Sequence, residues 1–281
     1  MDWFEETLWP DWQQRMRIQR VLYRDKTDHQ DLIVFETPAW GRVLALDGVV
    51  QTTTVDEFVY HEMLVHVPVL AHGAVEEVLI VGGGDGGSLR EALRHPAIRR
   101  VTQVEIDRGV IDFCKEHLPS LSDGAFDDRR ARIVIADGAR YAAESEDRFD
   151  VVIVDSTDPR GPGEVLFTES FYRDCRRLLR PGGVMTTQCG NPAINPDELV
   201  MTQQRQRAAG FAAVGYYFAP VPTYVGGSMA LGFASDDPVS LRVTADLLRQ
   251  RAVPPGLRHW TPEVHVGAFA HPAWMAERVG Y

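Results

Sequence analysis

From Val78 onward the chain alternates short apolar runs with amphipathic stretches, and this alternation narrows the fold more than any other feature. "EVLIVG", "RVTQVEID", "ARIVIADG", "FDVVIVDS" and "GGVMTTQCG" read as strands. "SLREALRH", "GVIDFCKEHL", "ARYAAES", "TESFYRDCRRLL" and "PDELVMTQQRQRAA" follow them in turn and read as helices. Such runs, separated by amphipathic helices, predict a parallel sheet covered on both faces. Residues 1–56 differ. There "DLIVFET" and "GRVLALDGVVQTT" are β-rich, with turn signals at Pro38 and Asp47-Gly48. "DEFVYHEMLVHVPVL" then switches to helical spacing and is expected to stop near Pro68.

A sheet of this kind binds ligands beyond the carboxyl ends of its strands, near the point where strand order reverses. Acids occupy those ends. Asp85 follows the first strand, Glu105 ends the second, Asp137-Gly138 follows the third, and Asp155 and Asp158 follow the fourth. If the order is 3-2-1-4-5, the first and fourth strands are neighbours, and Asp85, Asp155 and Asp158 share one crevice. A single acid at a strand end usually caps the next helix. Five such acids repel one another unless a cation neutralises them or one takes up a proton, so the crevice calls for a positive ligand.

The turn after the first strand, "VGGGDGG", bears on which ligand. Gly82, Gly84 and Gly87 have G-x-G-x-x-G spacing, and Glu105 is placed to grip ribose hydroxyls. Asp85 inside that turn opposes the pyrophosphate of NAD. S-adenosylmethionine brings a cationic sulfonium, but its carboxylate would face Asp85. Decarboxylated S-adenosylmethionine lacks that carboxylate and ends in an amine, and so uses every acid. A metal fits less well. "HEMLVH" places its second histidine at i+5, about 140° from the first around a helix, against about 40° for i+4. The acid cluster could hold Mg²⁺, but no phosphate-bearing ligand requires it.

Composition excludes several classes. The net charge of −11 disfavours nucleic acid or an anionic lipid surface as partner. No run of about eighteen apolar residues exists to span a membrane, and the acidic, aromatic "MDWFEETLWPDW" is unlike a signal peptide. Cys114, Cys175 and Cys189 are widely spaced without a C-x-x-C, which predicts reduced thiols and a cytoplasmic location.

The motifs together resemble the polyamine aminopropyltransferases, closest to the bacterial spermidine synthases. The resemblance runs nearly end to end, through "HQDLIVFE", "LALDGVVQTTTVDEFVYHEM", "VLIVGGGDGGSLRE", "VEID", "ADGA", "VDSTDPRGPGEVLFTESFY", "PTYVGGSMALGFAS" and "TPEVHVGAFAHP". It implies an α/β fold: a small N-terminal antiparallel β-domain (residues 1–56), then a Rossmann-like, doubly wound, mostly parallel sheet of the class I SAM-methyltransferase type (residues 57–281). It implies transfer of the aminopropyl group of decarboxylated S-adenosylmethionine to putrescine, giving spermidine and 5′-methylthioadenosine. No prosthetic group and no metal are expected, and the expected assembly is a homodimer or homotetramer.

The same resemblance assigns residues. Asp155 is the expected catalytic base, since an ammonium has no lone pair until a proton leaves, and Tyr60 shares in positioning the amine. His61, Asp85, Ser156, Thr157, Asp158 and Tyr224 are expected to hold the polyamine and aminopropyl parts. Gln30, Gly82, Gly84, Asp85, Glu105, Asp137, Gly138 and Pro162 are expected around the nucleoside, with Asp137-Gly138 at the adenine and Pro162 packed on it from a gating loop. Trp9 is a candidate wall of the polyamine tunnel. Other family members carry Gln where this chain has His61. Two further departures, His259-Trp260-Thr261-Pro262 and Gln188-Cys189-Gly190-Asn191, admit cadaverine, agmatine or a longer diamine as acceptor if they line that end. A methyltransferase and a catalytically silent polyamine-binding protein are the alternatives of other kinds.

Overall fold

The computed structural model describes residues 2–27, 30–159 and 161–279. Two short strands, β1 (Trp3–Glu5) and β2 (Arg15–Arg17), form an antiparallel ribbon. A four-stranded antiparallel sheet follows: β3 (Arg20–Lys26), β4 (Asp31–Thr37), β5 (Gly41–Leu46) and β6 (Val49–Thr53). The β5–β6 hairpin closes through Asp47 (φ 49°) and Gly48 (φ 79°). Two left-handed residues there match the twist of the strands they join. Side chains alternate across this sheet with period two. Ile33, Phe35, Val43 and Ala45 pack with Phe4 and Met16 of the ribbon, while Leu32, Val34, Leu44 and Leu46 turn the other way.

The remaining elements build one larger layer structure. In order they are α1 (Glu57–His72), β7 (Glu77–Gly82), α2 (Gly87–Leu93), β8 (Arg100–Glu105), α3 (Arg108–His117), α4 (Pro119–Ser122), β9 (Ala131–Ile135), α5 (Gly138–Glu144), β10 (Phe149–Asp155), α6 (Glu169–Leu178), β11 (Leu179–Gln188), α7 (Pro196–Ala208), β12 (Ala213–Ala219), β13 (Met229–Ser235), α8 (Ala245–Leu248), α9 (Pro262–Ala268) and α10 (Ala273–Val279). A 3₁₀ stretch, Gly161–Phe167, lies between β10 and α6. The seven strands run in the order β12-β13-β11-β10-β7-β8-β9. β7 to β11 are parallel and take the expected 3-2-1-4-5 order. Val78 and Ile80 face a core that includes Met63 and Val67 of α1. Leu79 and Val81 face the opposite core, with Phe171, Tyr172 and Cys175 of α6. Both faces of the sheet are therefore dry at its centre, which is why the central strands read as continuous apolar runs.

The structure corrects one expectation and extends the sheet beyond the strands read from the sequence. The α1 helix does not stop near Pro68 but continues to His72, where Gly73 at φ 80° caps it. Every residue from Val59 to Ala71 is buried, so packing overrides the local cost of an interior proline. In the turn before Pro68, Tyr217 donates a hydrogen bond to the Met63 carbonyl at 3.0 Å. The sheet also gains two antiparallel strands, β12 and β13, which the alternation of strands and helices does not announce. The N-terminal sheet docks onto the larger layer through Leu32, Val34, Leu44 and Leu46 against Val110, Phe113 and Leu121 of α3 and α4.

Candidate active site

β7 and β10 are paired so that Gly82 lies opposite Asp155. The glycines after β7 make that closeness possible. Gly82 and Gly83 have φ of 87° and 69°, and the Gly83 N–H donates to the Asp155 carbonyl at 2.8 Å. A Cβ on Gly82 would stand 2.1 Å from the same carbonyl oxygen, and one on Gly84 would stand 3.0 Å from a Glu105 carboxylate oxygen. No side chain fits at Gly82, and one at Gly84 would displace Val110 and Glu105. The glycine loop thus brings carboxylates together before any ligand is considered.

A cavity of about 350 Å³ opens there between the carboxyl ends of the strands and the N-terminal sheet. It is lined by Gln30, Tyr60, His61, Gly82, Gly84, Asp85, Glu105, Asp137, Gly138, Asp155, Ser156, Thr157, Asp158 and Tyr224, together with Trp9. Pro162 lies in the 3₁₀ stretch, and its side chain is outside the described residues. Gln188, Gly190 and Asn191 also line the cavity. His259–Pro262 does not. Its backbone is tied instead to Glu62, whose carboxylate accepts from the N–H groups of Arg258, His259 and Trp260 at 2.7, 2.8 and 2.8 Å.

The acids do not share one environment. Asp155 accepts from the Tyr60 hydroxyl at 2.9 Å and the Ser88 hydroxyl at 2.6 Å. Burial, reinforced by the negative charge of Asp85, raises its carboxyl above the usual range despite those donors and nearby His61. Asp85 accepts from the Gly87 N–H at 2.8 Å and faces His61 Nε2 at 3.4 Å. Burial works against its charge, but His61, the Gly87 N–H and Arg90 together outweigh burial and the carboxyl is held below the usual range. Glu105 is pushed up to about 7, chiefly by burial, while accepting from the Asp107 N–H at 2.9 Å. Asp107 in turn takes the Gln30 amide at 3.4 Å and caps α3. Asp137 caps α5 through the Arg140 N–H at 3.0 Å. Ser156 Oγ is buried with no hydrogen-bond partner among the described residues.

Several lining or supporting groups were not legible beforehand. Glu57, one helical turn before His61, holds His61 Nδ1 at 2.6 Å and is itself clasped by Arg90. The i,i+4 spacing could have found that pair. Glu6 lines the cavity from the chain following β1. It accepts from the Val50 N–H and the Gln14 amide, and burial pushes its carboxyl up to about 7. Ser88 carries no sequence signal of its contact with Asp155. Tyr224 stands edge-on to Tyr60, with centroids 5.8 Å apart, and donates to the Gln51 carbonyl at 2.8 Å.

The "HEMLVH" segment disperses its groups. His61 reaches the cavity and Glu62 the C-terminal segment, while His66 packs between Glu91 and His95 at 2.9 Å from each. Among the described residues no group of three or more His, Cys, Asp or Glu is placed to hold a metal ion, and no helix is long and apolar enough to cross a membrane.

Known proteins match this chain throughout. A family profile described as the spermine/spermidine synthase domain matches residues 57–243, and one described as the spermidine synthase tetramerisation domain matches residues 2–54. The polyamine aminopropyltransferase 1 of Pseudomonas aeruginosa is 50% identical, over 99% of this chain and 97% of its own. The polyamine aminopropyltransferase of a Ruegeria species is 52% identical, over 97% and 96%. A crystal structure of spermidine synthase in complex with the transition state analogue AdoDATO superposes with a TM-score of 0.94 at 37% identity, covering 99% of this chain and 94% of that one. Spermidine synthase from Thermotoga maritima gives 0.92 at 36%, covering 100% and 94%.

Proposed function

The chain belongs to the spermine/spermidine synthase family and is an aminopropyltransferase enzyme, and from that premise we propose that it moves the aminopropyl group of decarboxylated S-adenosylmethionine onto putrescine. The amine nitrogen forms a bond to the carbon beside the sulfonium. The carbon–sulfur bond breaks with its electron pair going to sulfur, so 5′-methylthioadenosine leaves as a neutral thioether. The proton lost by the attacking amine passes to a base.

The observation that carries this reading is Asp155. It is half-buried at the end of β10, receives only hydroxyl donors, and holds its carboxyl above the usual range, which suits a group that must accept a proton. Tyr60 fixes its orientation. Asp85 suits the donor's ammonium, Glu105 the ribose hydroxyls, and Asp137 with Gly138 the adenine edge. Gln30 supports the nucleoside end through Asp107. The unpartnered Ser156 hydroxyl, with Thr157, Asp158, Tyr224 and Glu6, supplies polar groups for the acceptor's path. A sulfonium leaves readily, so alignment in this cavity carries much of the rate.

Gln188, Gly190 and Asn191 in the cavity wall keep a second acceptor in view, namely cadaverine, agmatine or a longer diamine. The test is release of methylthioadenosine from decarboxylated S-adenosylmethionine with each amine in turn. Putrescine is expected to be fastest. Agmatine far ahead of putrescine would overturn the acceptor, and no release with any amine would overturn the transfer. We also propose a homo-oligomer, dimer or tetramer, supported by the tetramerisation-domain match at residues 2–54, and a cytoplasmic location, supported by three buried free cysteines.

A further inference from the structure

The carboxylate assigned to the donor's ammonium already has a cation beside it. His61 is buried between two acids. Its Nδ1 lies 2.6 Å from Glu57 Oε2 and its Nε2 lies 3.4 Å from Asp85 Oδ2. Carboxylates only accept hydrogen bonds. The short Nδ1 contact needs a proton, and an unprotonated Nε2 would aim its lone pair at Asp85. Both ring nitrogens therefore carry protons, and the resting ring is an imidazolium. Although burial opposes that charge, the two acids raise the proton affinity of His61 well above the usual imidazole range.

What holds the ring is the structure's own device. Glu57, in the first turn of α1, is gripped by both terminal nitrogens of Arg90 at 3.2 and 2.9 Å. Arg90 is pinned in turn by Glu91 at 2.8 Å and the Leu121 carbonyl at 2.6 Å. The groups facing His61 are Glu57 and Tyr60 on α1, Asp85 on the glycine loop, and Asp155 at the end of β10, with Arg90 of α2 behind Glu57.

We propose that Glu57 is a positioning residue that keeps His61 as the resting cation partner of Asp85, and that a ligand ammonium entering beside Asp85 takes over that pairing and drives one proton from His61 into the buffer. The inference rests on the placement of the donor's amine at Asp85 proposed above. Neutral His61 keeps its Nδ1–H on Glu57, so the ring need not move. Binding of an amine-bearing nucleoside is then proton-linked, while binding of a nucleoside without the amine is not linked through His61.

Calorimetric titration of the full protein in buffers of different ionisation heat tests this, with decarboxylated S-adenosylmethionine and 5′-methylthioadenosine as the two probes. Glu105, pushed to about 7, is expected to affect both probes alike, so the difference between them is what counts. The amine-bearing probe should release up to one more proton, and its affinity should rise with pH relative to the other by up to about tenfold per pH unit until the pH reaches the raised pKa of resting His61. His61→Gln keeps a donor for Asp85 but has no proton to lose, and should abolish the difference. Glu57→Gln should shrink the extra release at neutral pH and move the affinity rise to lower pH. Equal proton counts and equal pH slopes for both probes in the wild type overturn the inference. An unchanged proton difference in Glu57→Gln, with both probes merely weaker, reduces Glu57 to structural support and overturns its assignment. If methylthioadenosine binds and the amine-bearing probe gains nothing over it at any pH, the placement of the amine at Asp85 fails instead, and the inference with it.

Discussion

Asp85 and Asp155 stand at the ends of neighbouring strands in one cavity, yet their surroundings push them in opposite directions. Asp85 meets His61 and a backbone N–H, and stays below the usual carboxyl range. Asp155 meets two hydroxyls and is raised above it. A buried carboxylate beside a cation remains an anion and can hold a positive ligand. One supported only by neutral donors holds its charge less firmly and can accept a proton. On the roles proposed for them, two residues of one type are divided between binding and chemistry by their neighbours.

The largest test of that division is Asp155→Asn. It removes the proton acceptor but keeps the hydroxyl contacts, so turnover should fall about 10²- to 10⁴-fold with the fold intact by circular dichroism. Near-normal release of methylthioadenosine would take Asp155 out of the chemistry and dissolve the contrast. Asp85→Asn should act on binding instead. Loss of a charged contact should weaken decarboxylated S-adenosylmethionine about 10- to 100-fold, and S-adenosylmethionine much less. Equal weakening of both nucleosides in a binding titration would leave Asp85 as a generic loop acid.

The sequence carried most of this contrast as position and little of it as environment. Five strands, and the acids at four of their ends, follow from local periodicity, because β7, β8 and β10 are buried on both faces and the strands are bounded by glycine, proline and acidic turns. β13 escaped because it runs antiparallel to both its neighbours and follows β12 without the helix that marks the other units. Pro68 misled because the burial of α1 is a property of the whole layer, which the local signal cannot report. The placement of His259–Pro262 depended on Glu62, nearly two hundred residues away along the chain. Ser88, the donor that most closely touches Asp155, sits 67 residues from it, and no spacing rule connects them. Charge-bearing residues at strand ends were legible, whereas the neighbours that tune them were brought in by tertiary packing.

The finest test of the contrast lies with that serine. Ser88 is buried, and its hydroxyl contacts Asp155 Oδ2 at 2.6 Å. Removing it in Ser88→Ala withdraws a contact that favours the charged carboxylate, so the Asp155 carboxyl should rise further. A neutral donor to a charged acceptor is worth about 1.5 kcal/mol, which corresponds to about one pKa unit. The base is active only when ionised, so the acidic limb of the rate profile should move to higher pH by up to about one unit. Turnover would drop most in acid and recover toward the wild-type value in alkali. Tyr60 is a poorer choice for this measurement because its ring also walls the cavity. A uniform loss at every pH would mean that Ser88 holds Asp155 in place without tuning it.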